Sequence, residues 1–178
     1  MLDAPDLRED FYLNLLDWGA SNVLAVGLGP CVYLWMSSTA EVIKLTDVTK
    51  AVPVAGGPAT TSRANLQDVS SIKWSESGAQ LAVGLVSGHV QIWDVEAQRC
   101  VNELKPHAAR VGVLAWRAHC LQSGSRDHHV WHRDTRSANA SSQPDIRLVA
   151  HKQEVQLQRT RNITLCSHSS ILLLVASC

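Results

Sequence analysis

The chain lacks several features that would narrow its chemistry quickly. Its 16 Lys and Arg balance 16 Asp and Glu, the formal net charge is zero, and no run of like charge stands in for an excess. That balance argues against sequence-independent attraction to nucleic acid or to an anionic membrane surface, since both depend on net positive charge. Long apolar runs are missing too. The longest late one, Ile171 to Ala176, falls far short of the ~20 residues a membrane-spanning helix needs. The opening MLDAPDLRED has neither the basic start nor the apolar stretch of a secretory signal. These traits read as a soluble chain of the cell interior. The five cysteines, Cys31, Cys100, Cys120, Cys166 and Cys178, are scattered and form no CxxC pair. That spacing suggests neither a structural zinc site nor a redox motif, and free thiols are expected. Phe and Tyr are scarce, one and two copies, whereas Trp occurs six times in 178 residues.

The tryptophans are placed at intervals. Val23–Met36 (VLAVGLGPCVYLWM), Leu81–Asp94 (LAVGLVSGHVQIWD) and Leu121–Asp134 (LQSGSRDHHVWHRD) can be laid over one another across fourteen positions without a gap. Each reads as a short strand with a glycine (Gly27, Gly84, Gly124), a turn, and a second strand. Trp35 and Trp93 match near the ends, and Arg133 stands there in the third copy. Before each unit lies another strand closed by tryptophan, at Trp18, Trp74 and Trp116. Alternation of period two within the units, as in VQIWD, is that of strands with one face buried. The Trp74 to Trp116 interval is 42 residues. A period of ~40–45 residues ending in Trp-Asp marks the four-stranded blades of WD-repeat propellers. Trp93-Asp94 is that dipeptide, and Pro106-His107 and Ala150-His151 stand where such repeats place Gly-His.

The expected architecture is therefore all-β, a partial propeller of about three four-stranded blades out of seven. Blade 1 runs over about 11–49, a Gly/Pro/Thr-rich loop over 50–65, blade 2 over about 66–105, blade 3 over about 106–150, and a fourth begins at 151–155. Residues 156–178 carry no acidic residue, no Gly and no Trp, and read as a divergent tail. Trp18, Trp74 and Trp116 are expected to pack at strand ends. Asp94 and Asp134 are expected to cap turns. His107, Ser125 and Asp127 are expected to form a hydrogen-bonded chain in blade 3, incomplete because Arg133 replaces its Trp.

No catalytic constellation is present. GLGP at 27–30 is followed by neither GxGxxG nor GK[ST], and no GxSxG or HExxH motif occurs. His128 and His129 would point to opposite faces of a strand, which disfavours a shared metal ion. The reading is a non-enzyme with no cofactor and no metal.

The opening LDAPDLREDFYLNLLDW, with NVLAVGLGPCVYLW, VQIWD, HAARVGVLAW, SGSRD and HKQEV in order, closely resembles the fizzy and fizzy-related proteins. These are substrate-recognition co-activators of the anaphase-promoting complex (cyclosome). The likeness covers roughly Leu2 to Val155. It implies an adaptor that captures degron peptides and presents them to a ubiquitin ligase, in the nucleus and cytoplasm, with ligase subunits and degron-bearing substrates as partners. By the match to LDAP, Asp3 would face the arginine of a destruction-box peptide, and Leu2 would line the neighbouring apolar pocket. Asp10 and Tyr33 match positions that contact a KEN-box peptide, Asp10 suiting its lysine. The family's C-box region, Ile-Arg tail and last blade have no counterpart here. The alternative expectation is a non-functional or regulatory propeller fragment without ligase docking or a complete degron site.

Overall fold

The computed structural model describes residues 7–8, 10–49, 68–117 and 120–125 with their side chains, and the backbone of strands at 129–134, 146–149, 156–160, 163–168 and 171–175. Sheet 1 holds β1 (Leu16–Trp18), β2 (Val23–Leu28), β3 (Cys31–Met36) and β4 (Val42–Asp47). Sheet 2 holds β5 (Val69–Trp74), β6 (Gln80–Leu85), β7 (Val90–Asp94) and β8 (Arg99–Leu104). Sheet 3 is built of β9 (Val111–Arg117), β10 (Cys120–Ser125), β11 (His129–Asp134) and β12 (Ile146–Val149). Each is an antiparallel meander with its strands in chain order, and no helix occurs among the described residues. The protein is an all-β, partial WD-repeat propeller.

Residues 156–178 carry none of the repeat's tryptophan or glycine. Their backbone nonetheless forms a three-stranded meander of β13 (Gln156–Thr160), β14 (Ile163–His168) and β15 (Ile171–Val175). The apolar, partly β-branched composition of ITLCSH and ILLLV suits extended pairing.

The core lies between sheets rather than within one. Period-two alternation sends odd and even positions of β6 to opposite sides. Leu81, Val83 and Leu85 join Trp74, Trp93 and Cys100 in a cluster with Ala25, Val32 and Leu34 of sheet 1. Ala82 joins Val90 and Ile92 in a second cluster with Val111, Leu114 and Trp116 of sheet 3. The seams are tight enough to need glycine. A Cβ on Gly84 would lie 2.8 Å from Val111 Cγ1, and one on Gly19 would lie 3.0 Å from Trp74 Cδ2.

Pairing also refines the repeat alignment. Gly27 opposes Val32 and Leu24 opposes Trp35 in sheet 1, just as Gly84 opposes Val90 and Leu81 opposes Trp93 in sheet 2. The gapless overlay is thus one residue out for the first strand of the pair. The β2–β3 hairpin turns over Gly29-Pro30, whereas the β6–β7 hairpin takes Val86–His89. The longer turn absorbs the difference, because a one-residue slip within the ladder would move every buried side chain to the wrong face.

Sheets are held side by side through their first strands. Asn14, just before β1, bridges to Ser71 in β5, and Ile72 N–H donates to Asn14 O at 2.8 Å. Ser70 and Ser71 hydroxyls both donate to Val111 O at 2.7 Å. These bonds satisfy buried polar groups at seams that are otherwise apolar.

Candidate peptide-binding site

In the segment entering β1, one carboxylate makes both a local turn and a long-range contact. Asp10 Oδ1 accepts the Tyr12 N–H at 2.9 Å, and its carbonyl accepts the Leu13 N–H at 3.0 Å. This local turn is the one that Asp favours through side-chain to backbone bonding. The other carboxylate oxygen, Oδ2, meets Arg110 Nη1 at 2.8 Å across 100 residues of sequence. Asp10's side chain is 38% exposed and that of Arg110 18%, so the pair sits at the rim. The Arg110 guanidinium also lies 5.7 Å from the centroid of the Tyr12 ring. Phe11, 84% exposed, stands edge-on to Tyr12 with ring centroids 5.5 Å apart. Arg8 pairs with Asp68 just before β5. The result is a charged and aromatic surface built from the entries to sheets 1, 2 and 3.

Tyr33 keeps different company. It is half-buried on β3, opposite Val26 and Lys44, with Lys44 Nζ 6.0 Å from its ring centroid. Lys44 is raised well above its ordinary pKa, first by a hydrogen bond with the Cys31 side chain and then by Asp47. The Asp47 carboxyl is lowered to about 2, chiefly by the hydrogen bond from the Thr49 hydroxyl, with Lys44 adding to it. The structure therefore gives Asp10 and Tyr33 separate cationic neighbours, Arg110 and Lys44. Leu2 and Asp3 lie outside the described residues.

Between the first strands of the three sheets lies a cavity of about 250 Å³, lined among others by Asn14, Asp17, Lys73, Trp74 and Trp116. Asp17 accepts the Lys73 ammonium at 2.5 Å and the Trp74 backbone N–H at 2.7 Å. Asn14 Nδ2 donates to Gly112 O at 2.7 Å. Trp116 Nε1 donates to Lys73 O at 3.0 Å, whereas the buried Trp74 Nε1 has no hydrogen-bond partner.

The repeat residues divide. Trp74, Trp93 and Trp116 are buried, and Trp93 Nε1 donates to Gln91 Oε1 at 3.0 Å. Asp94 accepts the Ala97 N–H at 3.0 Å in the turn after β7. Trp18 departs from the expectation of strand-end packing. It is 51% exposed and meets Trp35 edge-on with centroids 6.0 Å apart. The reason is directional: Trp74 rests on sheet 1 and Trp116 on sheet 2, and the equivalent face of sheet 1 is uncovered in this structure. The expected His107–Ser125 link is also corrected. His107 Nε2 meets Ser123 Oγ at 2.9 Å, and Ser125 Oγ donates to Ala109 O at 2.9 Å. Both serines follow the same alternation on β10, and the register shift between Gly124 and Ser125 separates their roles. Asp127 lies outside the described residues, as do the side chains of Asp134 and Arg133. Among the described residues no group of three or more His, Cys, Asp or Glu could hold a metal ion.

Sequence reasoning missed Arg110, Tyr12 and Lys44. The arginine sits in HAARV, a phrase that attracts notice for its histidine. Its partner is a hundred positions away, beyond any local pattern.

The family model of the anaphase-promoting complex subunit 4 WD40 domain matches residues 50–119. The chain is 42% identical over 155 residues to Protein FIZZY-RELATED 3 of Arabidopsis thaliana, covering 87% of this chain and 28% of that protein. It is 41% identical over 155 residues to Meiotic fizzy-related protein 1 of Schizosaccharomyces pombe, covering 87% and 32%. Anaphase-promoting complex subunit cdh1 of Dictyostelium discoideum is 40% identical over 156 residues, covering 87% and 18%. The chain thus spans less than a third of the length of these relatives. A chain in the crystal structure of the mitotic checkpoint complex superposes with a TM-score of 0.78 at 37% identity, covering 93% of this chain and 46% of that one. The computationally designed Ika4 protein, at 17% identity and TM-score 0.67, shares the fold alone, over 92% and 90% of the two chains.

Proposed function

Because this chain belongs to the fizzy and fizzy-related family of WD-repeat proteins, we propose that it acts as a substrate-recognition adaptor of the anaphase-promoting complex/cyclosome. In this reading it captures degron peptides in cell-cycle regulation, in the nucleus and cytoplasm. The observation that carries it is the rim cluster of Asp10, Arg110 and Tyr12, set at the family-matched opening LDAPDLRED.

A half-exposed carboxylate already bonded to a cation is a place where a peptide lysine can exchange for the resident guanidinium. The exchange keeps a charge-assisted hydrogen bond on Asp10. Tyr33 with Lys44 supplies a second contact of mixed aromatic and cationic character. Asp3 and Leu2 would serve the arginine and leucine of a destruction box. Nothing in this chemistry requires bond making, and the adaptor is read as non-enzymatic.

The test is fluorescence anisotropy with labelled KEN-box and destruction-box peptides against the wild-type chain and D10A, Y33A and D3A. D10A and Y33A should weaken the KEN peptide several-fold and leave the destruction-box peptide unchanged. D3A should do the reverse. Equal affinity of all four proteins for both peptides would remove the assignment. A second reading, a regulatory propeller piece, is favoured by the half-exposed Leu16 and Trp18, which leave an apolar sheet face open to other protein.

A further inference from the structure

Asp10 sits between two ties that the chain makes to one sheet. On its C-terminal side, Asn14 N–H donates to Ser70 O at 3.1 Å, and Asn14 O accepts the Ile72 N–H at 2.8 Å. On its N-terminal side, Arg8 Nη2 pairs with Asp68 Oδ2. Asp68 is a fixed footing for that pair. Its carbonyl accepts the Val86 N–H at 3.0 Å, and the N–H of the next residue, Val69, donates to Gly29 O at 2.9 Å. Arg8 and Asn14 are thus both held at the entry to β5. The short stretch between them, which carries Asp10, Phe11 and Tyr12, is a loop closed at both ends.

Within that loop Asp10 has a hold of its own, the ion pair with Arg110 of sheet 3. Under the proposed function this is the hold that a peptide lysine replaces. Once the guanidinium has left Asp10, the carboxylate no longer ties the loop to sheet 3. Among the described residues, the side chain that then pins the loop on its N-terminal side is Arg8. A loop already closed has fewer conformations to lose when a ligand orders it, so closure is felt as affinity.

We propose that Arg8, through its ion pair with Asp68, is a positioning residue for peptide capture, keeping Asp10 at the rim while a peptide lysine occupies it. Arg8 acts through the loop and not by touching the peptide. The inference rests on the peptide-capture reading and adds to it a residue outside the contact set. In the free chain Arg110 holds the same loop, and the Arg8 side chain is 56% exposed, so its removal costs the fold little.

The test is fluorescence anisotropy with a labelled KEN-box peptide against the full wild-type chain, D10A, R8M, R8K, D68N and R8M/D68N, with a thermal melt of each. R8M and D68N should each weaken the peptide by about two- to fivefold, the range an exposed ion pair supplies. The double variant should be no weaker than either single one, as for two residues acting as a unit. R8K should keep most of the affinity, and the melting midpoints should stay level with wild type. Net charge changes in opposite directions in the two single variants. R8M removes a cation near Asp10 and by charge alone favours a lysine, whereas D68N removes an anion, so matching losses identify the pair and not the surrounding field. Unchanged affinity in R8M and D68N would overturn the proposal. So would a loss in R8M without one in D68N, which means direct contact, or losses that track lowered melting midpoints. A D10A variant that binds like wild type, or a wild type that binds no peptide, removes the peptide-capture reading and this inference with it. Weakened D10A beside unchanged R8M removes this inference alone.

Discussion

Trp116 donates its indole N–H to the carbonyl oxygen of Lys73 at 3.0 Å, while Trp74, one repeat earlier and equally buried, has no partner for the same atom. Two residues at one repeat position therefore carry different polar balances, although both fill a seam between sheets.

That difference predicts unequal costs for one substitution. W116F breaks a part-buried hydrogen bond and leaves a carbonyl short of it, adding about 1 kcal/mol to the loss of ring volume. W74F loses similar volume but removes an N–H that had nothing to donate to. Urea denaturation should place W116F below W74F in stability. Equal midpoints would mean that the Lys73 carbonyl contributes nothing.

Arg110 predicts a gain on removal. A part-buried ion pair at the rim is worth on the order of 1 kcal/mol, and R110M would release Asp10 from it. A KEN-box peptide should then bind up to about fivefold more tightly, opposite in direction to D10A. Anisotropy titrations of the two variants side by side read both signs. A loss in R110M would show that the guanidinium helps to hold the peptide.

The cost of burial separates two serine–histidine pairs. Ser123 and His107 are both buried, with Nε2 and Oγ 2.9 Å apart. Ser87 and His89, 3.0 Å apart, are only part-buried. S123A should cost about 1–3 kcal/mol, because the imidazole nitrogen loses a partner that water cannot replace. S87A should stay within about 0.5 kcal/mol. Thermal melts of the two alanine variants decide the matter.

Acid should weaken sheet 1 through Asp47. Its carboxyl is lowered from 3.8 to about 2 in the folded chain, first by the Thr49 hydroxyl at 2.6 Å and then by Lys44 at 3.1 Å. A folded-state value below the unfolded one gives stability that is complete above about pH 4 and is lost as pH falls toward 2. D47N lacks this dependence, so its deficit against wild type should shrink over that window. Urea midpoints at pH 6, 4, 3 and 2.5 follow it. A deficit constant with pH would assign Asp47 a purely steric role.

The all-β repeat was legible in the sequence for a physical reason. A sheet sandwiched between two neighbours must alternate apolar residues, keep glycine where sheets approach, and bury a large ring at each seam. LAVGL occurs at both 24–28 and 81–85 and carries that requirement in plain view. The hairpin length between Gly29 and Pro30 was less visible, since only the ladder reveals which residue a turn has absorbed. The serine on His107 was ambiguous because Ser123 and Ser125 share an alternation. The exposure of Trp18 could not be read from its own strand, because burial there depends on which sheet stands next to it. Asp10 was legible as a candidate, but Arg110, its ion-pair partner, joins it only through the stacking of sheets 1 to 3.

The arrangement of strands has a kinetic consequence. Every ladder joins strands consecutive in the chain, all but β11–β12 through a short connection, so each sheet can form largely from local contacts at little cost in loop-closure entropy. Long-range order then arises only as one sheet docks on the next, in the manner of a chain of coupled units. Sheet 2, clamped by apolar clusters on both sides, is the unit whose opening must break two couplings at once. Its amides in β6 and β7 should exchange with solvent deuterium last, and those of β2 and β3, coupled on one side, should exchange earlier through a partial opening that leaves the rest of the stack intact.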